Sequence, residues 1–322
     1  MIKPRNLIYM LSFLLFNLKI KLKIVSTISD VLLTLKCPNQ CDHCLYSASP
    51  EYNEFLNEKY FQKVIIGLKK IRCKYISPIG GEPFLYLYGL EKFLKLCKKY
   101  SVKIALFTSC VWAKSYHKSF FILKRLKKAG LRSLLISTDK FHQKKVPIKN
   151  VIFVLRACSS LSISTCLRIT YTKDIRQSVK SIINLARKYN SKILIEPLCF
   201  FGRGSKFNPD DFYVDWKELY YIESKVNRYD IYHLHHLIKK KLDSINFLSS
   251  CPFGPVIYPN GDLFLSYCSK PKLYLGNIKD SKIEEMVSNF NRSFFNRSLF
   301  IMKYFIKKDV GNAKLICEVC PF

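Results

Sequence analysis

Val31-Leu-Leu-Thr-Leu-Lys36 runs directly into Cys37-Pro-Asn-Gln-Cys41-Asp-His-Cys44, an apolar stretch that ends in three thiols within eight residues. The apolar stretch reads as a buried strand, which places the thiols on a loop at its carboxyl end. Short spacings let neighbouring thiolates converge on one centre, so the segment is a metal loop. Three ligands from one loop suit a [4Fe-4S] cube, which takes four and would keep one iron open for a substrate. A closed zinc knuckle, with His43 or a remote residue as fourth ligand, fits the same spacing.

Working outward, further β-branched apolar runs follow at Lys74 to Ile79, Val102 to Ser109, Ser133 to Thr138, Thr165 to Tyr171 and Lys192 to Cys199. Their starts lie 27 to 43 residues apart, the pitch of βα units. The helices between them carry the right period, with Phe61, Val64, Ile65, Leu68 and Ile71 on one face and Leu90, Phe93, Leu94 and Cys97 on another. Gly130 closes the third helix as a C-cap would. Near-continuous apolar strands among amphipathic helices predict an α/β fold with a parallel sheet covered on both faces. Six units suit a doubly wound sheet or a partial (β/α)6 barrel, and in both the chemistry sits at the carboxyl ends of the strands.

The second strand runs into Gly80-Gly81-Glu82-Pro83. Glycines let a ligand approach the backbone closely, and the carboxylate can pair with a cation. With the C-x3-C-x2-C loop and the GGEP segment in order, one strand apart, the sequence resembles the radical S-adenosylmethionine (SAM) superfamily. The resemblance implies that Cys37, Cys41 and Cys44 hold a [4Fe-4S] cluster whose open iron is chelated by SAM. It implies that Gly80, Gly81, Glu82 and Pro83 meet the SAM amino group. By position, Ser137, Arg168 and the Gly202-Arg203-Gly204 turn are the counterparts of further SAM contacts. Thr108-Ser109-Cys110 stands where the family often has an Asn-Gly pair, a departure that removes the contacts expected there.

Four more cysteines, Cys251, Cys268, Cys317 and Cys320, gather toward the carboxyl terminus. Asn260-Gly261 is a hairpin signal between the first two, and a hairpin would bring those thiols together. The segment resembles the SPASM/twitch extension of radical SAM enzymes, including the Gly276-Asn277-Ile278 step, which implies an auxiliary [4Fe-4S] cluster on these four residues. A zinc ribbon uses the same ligands. The chain therefore divides into an extension at 1–28, a radical SAM core at 29–210, a helical linker at 211–250 and an auxiliary-cluster domain at 251–322. The Tyr- and Lys-rich stretch from Trp216 to Leu248 reads as helical, and His233, His235 and His236 within it read as surface or core.

Composition frames these readings. The chain of 322 residues is 49% hydrophobic with 11 Gly and 13 Pro, which excludes wholesale disorder and collagen-like repetition. Thirteen cysteines with no convincing export signal argue for metal rather than a disulfide framework, and oxygen-labile clusters imply a reducing cytoplasm. A formal charge of +31 attracts anionic partners, but the Lys residues are spread rather than clustered. A basic zinc-binding nucleic-acid protein is the rival from another class. Six βα units with GGEP and no recognition module oppose it. The run Leu7 to Phe16 is too short to span a membrane but, followed by Lys19, Lys21 and Lys23, could lie weakly on an anionic surface. Met10 is an alternative start.

Within the superfamily the sequence most resembles peptidyl amino-acid epimerases acting on ribosomally made peptides, from about Val31 to the Ile-Cys-x2-Cys ending. That resemblance implies removal of an α-hydrogen from an L-residue and return of hydrogen to the opposite face by a thiol. It also implies a precursor peptide, here with an acidic leader, and an external low-potential electron donor. Cys268 is either an auxiliary ligand or the catalytic hydrogen donor, since one thiol cannot be both. Cys110 and Cys199, at strand ends, are other donor candidates. Asp139 and His142 line the same cavity without an assigned role. Oxidative crosslinking, with the auxiliary cluster as electron acceptor, is the alternative reaction.

Overall fold

The computed structural model describes residues 28–171, 176–198, 202–208, 231–233, 253–267 and 270–290. The eight parallel segments β1 (Ile28–Thr34), β2 (Tyr75–Gly80), β3 (Lys103–Ile104), β4 (Leu106–Thr108), β5 (Ser133–Ser137), β6 (Ser164–Tyr171), β7 (Lys192–Pro197) and β8 (Ile231–His233) form the frame. They fall into two sheets that meet at β3 and β4. The strand expected over 102–109 changes partner at Ala105, whose N–H donates to the Ile76 carbonyl, so β3 pairs with β2 and β4 with β5. A curved α/β wall results, as the βα rhythm predicted.

Helices α1 (Phe61–Lys70), α2 (Leu87–Lys99), α3 (Tyr116–Ala129), α4 (Lys140–Gln143), α5 (Ile148–Ser160) and α6 (Arg176–Lys188) connect the strands. The periodic face of α1 is inside, with Phe61, Val64, Ile65 and Leu68 at 0% exposure, and Phe61 meets Phe93 of α2 edge-on at 5.1 Å. Burial of each such side chain stabilises by about 1.5–3 kcal/mol relative to exposure. Ser115 caps α3 by accepting from the Lys118 N–H, and Gly130 ends it at φ 123, a conformation that favours glycine.

On its other edge β1 pairs in parallel with β9 (Phe253–Ile257), which forms an antiparallel ladder with β10 (Asp262–Tyr267) and then β11 (Lys270–Asn277). The hairpin signal at Asn260-Gly261 was correct: Gly261 has φ +95 and its N–H closes on the Tyr258 carbonyl. The hairpin thus continues the barrel's own sheet. The last register pair of β9 and β10 is Phe253–Tyr267. Cys251 and Cys268 follow just beyond, outside the described residues. The helix over 283–290 packs on α1 so closely that a Cβ on Gly67 would stand 2.9 Å from Ile283 Cβ, and Lys70 Nζ pairs with Glu284 at 2.7 Å.

One expectation is corrected. Within the stretch read as helical, 216–248, the described residues are a strand, β8, whose Ile231-Tyr232-His233 extends the second sheet beside β7. Residues with β-propensity next to an open parallel edge outweigh the helical composition around them. The run Leu7 to Phe16 and the terminal pair Cys317 and Cys320 lie outside the described residues. Among the described residues, no helix is long and apolar enough to cross a membrane.

Candidate metal and cofactor site

The cysteine loop leaves β1 and is fastened at every turn. Cys37 N–H donates to Ser49 O and Ser49 N–H to Leu35 O, which closes the loop on its own base. Cys44 N–H donates to Cys41 O at 3.1 Å, closing a tight turn between the second and third cysteines. From the far end of the barrel, Arg203 Nε donates to Cys41 O at 2.9 Å and a terminal guanidinium nitrogen donates to Ala48 O at 2.7 Å. Its backbone N–H donates to Cys44 O. Gly202, at φ +55, lies so close that a Cβ would stand 2.4 Å from Leu45 O. Read from sequence as a SAM contact, the Gly202-Arg203 turn is seen here gripping the loop, and Gly204 is buried behind it.

Strand β2 is stitched to the same loop. Gly81 N–H donates to Thr34 O at 2.7 Å and Glu82 N–H to Lys36 O at 2.9 Å, directly before Cys37. A Cβ on Gly80 would stand 2.0 Å from Thr34 O at the end of β1, and one on Gly81 2.0 Å from Lys36 O just beyond it. These glycines are required by backbone approach to β1, a demand that the sequence reading attributed to a ligand alone. Glu82 is 0% exposed. Its carboxylate accepts from Thr108 Oγ1, Ser109 N, Ser109 Oγ and Phe84 N, which fills its four lone-pair sites. It holds the loop after β4 against the turn after β2, and Pro83, buried, starts the single 3-10 turn that follows. Burial pushes the Glu82 carboxyl above its ordinary value, against the pull of those donors.

At the end of β5, Asp139 sits 1% exposed at the start of α4. Its Oδ1 accepts from the Phe141 and His142 N–H groups and lies 2.9 Å from His142 Nδ1, while Oδ2 accepts from Thr170 N and lies 3.9 Å from His43 Nε2. These bonds and the adjacent imidazoles hold its carboxyl well below the usual carboxylate range in spite of burial. Burial pushes His43 down to about 3, with nearby His142 adding to the effect. The sequence reading left Asp139 and His142 without a role. Their signal was local, an N-cap Asp with His three residues on. Ser137 ends β5 opposite Arg168 of β6, whose guanidinium lies 5.4 Å from the Phe107 ring.

The donor set fits an iron-sulfur cluster. Cys37 and Cys41 are buried, Cys44 is half-buried, and burial pushes the first two thiols up to about 12, with Cys44 raising both further and Cys37 raising Cys41. Such thiols stay protonated until a cation takes them. A tetrahedral zinc site would bring ligand atoms to about 3.8 Å from one another, given Zn–S of about 2.3 Å. Among the described residues the group drawn within 4.8 Å is His43, Asp139 and His142, not the thiols. His43 is grouped with Asp139 and His142 rather than with the thiols, which opposes a zinc knuckle that takes His43 as its fourth ligand. Cys110 is corrected as a cavity residue. It is 0% exposed in the core, its thiol pushed well above the ordinary range by burial. Cys199 lies outside the described residues.

A partial barrel with a three-thiol loop and a GGEP turn at its strand ends defines a cluster-bearing α/β enzyme of the radical type. The family model for the Radical SAM superfamily matches residues 31–206, and the chain belongs to that superfamily. Its cofactors are accordingly SAM and a [4Fe-4S] cluster. No curated protein matches the chain. Among solved structures it is similar to SuiB of Streptococcus suis bound to SAM, with a TM-score of 0.65 at 13% identity over 92% of this chain and 72% of that one. SuiB bound to its precursor peptide SuiA gives the same TM-score at 14% identity, over 92% and 71%. The enzyme anSMEcpe with AdoMet and the Cp18Cys peptide gives 0.58 at 16% identity, over 84% and 83%.

Proposed function

We propose that this chain modifies a ribosomally made precursor peptide by radical chemistry, converting one L-residue to its D form. The observation that supports a peptide substrate is the extent of the likeness: the fold runs beside SuiB, crystallised with its precursor peptide SuiA, over 92% of this chain; the conversion to the D form rests on the sequence resemblance alone. Cys37, Cys41 and Cys44 would hold the cluster in the core, 29–210. Gly80, Gly81, Pro83, Ser137 and Arg168 would shape the SAM wall from the strand ends. Glu82, Gly202 and Arg203 would keep the loop and the wall in register. When bound, the cluster and SAM supply a 5′-deoxyadenosyl radical that removes a hydrogen from the peptide. The barrel residues orient the peptide and exclude water.

In this reading the segment 251–322 carries an auxiliary cluster on Cys251, Cys317 and Cys320. Cys268 completes that set or returns the hydrogen. The positive surface recruits an acidic leader, an external low-potential donor supplies electrons, and the reducing cytoplasm protects the clusters. The deciding experiment co-expresses the chain with the small peptide encoded beside it, in deuterated water, and reads the product by mass spectrometry. One added mass unit at one residue, recovered as the D form, is expected. A loss of two units would overturn epimerisation and mark an oxidative enzyme.

A further inference from the structure

Two side-chain nitrogens inside the eight-residue cysteine loop are buried without a hydrogen-bond partner, Asn39 Nδ2 and His43 Nδ1. Buried polar groups in folded proteins are almost always paired, and an orphan points to a partner that the protein itself does not supply. The two orphans differ in what they tell. An imidazole nitrogen donates or accepts according to its tautomer, whereas an amide nitrogen only donates. Asn39 therefore specifies an acceptor.

Asn39 lies between Cys37 and Cys41 and is 2% exposed. Its backbone N–H faces the first thiol closely enough to pull the Cys37 pKa down, against the effect of burial. The acceptors missing from this loop are the sulfur atoms of the group that its thiols would hold. We propose that the Asn39 side chain donates an N–H···S hydrogen bond to the cluster on Cys37, Cys41 and Cys44 and raises its reduction potential. Reduction adds negative charge that spreads onto sulfur. A fixed donor there favours the reduced form, one of the means by which proteins set such potentials. The inference rests on the cluster assignment above and deepens it.

The test is a redox titration of the full, reconstituted chain under anaerobic conditions, followed by electron paramagnetic resonance. The signal tracked is the one that changes when SAM is added, which separates this cluster from an auxiliary one. Asn39→Leu, near-isosteric but without a donor, is expected to raise the oxidised-to-reduced ratio at fixed potential about tenfold, a drop of about 59 mV for one electron. Asn39→Asp, with an acceptor and a charge in place of the donor, is expected to lower it further. Iron content equal to wild type marks the shift as electronic rather than structural. An oxidised-to-reduced ratio within twofold of wild type in iron-loaded Asn39→Leu, a shift under about 18 mV, would overturn the proposal. If Asn39→Leu does not fold, Asn39→Ala, which also lacks the donor and adds no charge, takes its place with the same two outcomes. A SAM-responsive signal that survives Cys37→Ala would instead sink the cluster assignment, a failure distinct from an unmoved potential.

Discussion

Arg203 Nε donates to the carbonyl oxygen of Cys41 across 162 residues of chain, at 2.9 Å. One guanidinium thereby ties the sixth βα unit to the loop that follows the first, with a second donation to Ala48 O. The barrel's two ends are joined at the cysteine loop itself. Loop geometry and barrel closure are consequently one structural event rather than two.

Arg203→Ala is expected to destabilise the chain by about 2–4 kcal/mol, from two lost charge-assisted bonds at about 1.5–3 kcal/mol each, discounted for the partial exposure of the guanidinium. Iron bound after reconstitution should fall several-fold. Arg203→Lys should recover little, since one ammonium cannot serve two separated carbonyls as a planar fork does. Iron analysis and urea unfolding of the three proteins check this, and full iron loading in Arg203→Ala would refute it.

Gly81→Ala forces a Cβ to within 2.0 Å of Lys36 O, a backbone atom that cannot swing aside. The contact would part β2 from β1 just before Cys37. Loss of the folded state, or of more than about 3 kcal/mol, is expected. Circular dichroism with thermal melting reads it, and wild-type melting would show that the two strands separate at little cost.

Glu82 gives a pH signature. Its folded carboxyl is raised above the ordinary 4.5 by burial, so the stability it contributes is full below about pH 4.5 and fades as pH rises through the raised value. Glu82→Gln keeps the shape and does not titrate. It also gives up acceptor sites to Thr108 and Ser109, a cost on the order of 1–3 kcal/mol that carries no pH dependence of its own. The stability of Glu82→Gln relative to wild type should therefore improve as pH rises above 4.5. Urea midpoints of both apo-proteins across that range decide it. A constant difference would mean that Glu82 keeps an ordinary pKa.

Much of this architecture was legible locally. The periodicity of Phe61, Val64, Ile65 and Leu68 pointed to α1, and Asn260-Gly261 to the hairpin. What escaped is non-local. Arg203 meets Cys41 only through barrel closure, and no local pattern encodes a contact at a sequence separation of 162. Gly80 and Gly81 stand out as glycines, but the carbonyls that crowd them, Thr34 O and Lys36 O, are not revealed by sequence spacing. Ala105, where one strand splits between two sheets, and β8, paired to an edge outside its own helical-looking neighbourhood, follow from tertiary pairing rather than propensity.

The thiols of the loop provide the last prediction. Cys37 and Cys41 are pushed from 9.0 to about 12 by burial, which at pH 8 leaves about a thousandfold less thiolate than an ordinary cysteine. Thiolate is the form that alkylates, so iodoacetamide on the native apo-chain at pH 8 should leave both unmodified while unfolded chain reacts readily. Their neutral forms favour the fold, so the apo-chain should lose stability as pH climbs from 9 toward 12. Cluster loading reverses this preference, because ligation needs the thiolates and releases protons. After loading, unfolding at pH 10 should be slower than in the apo-chain by a wider margin than at pH 7. Mass spectrometric mapping of the alkylated sites reads the first part, and rapid labelling of Cys37 and Cys41 in the folded apo-chain would show the loop open to solvent and break the argument at its base.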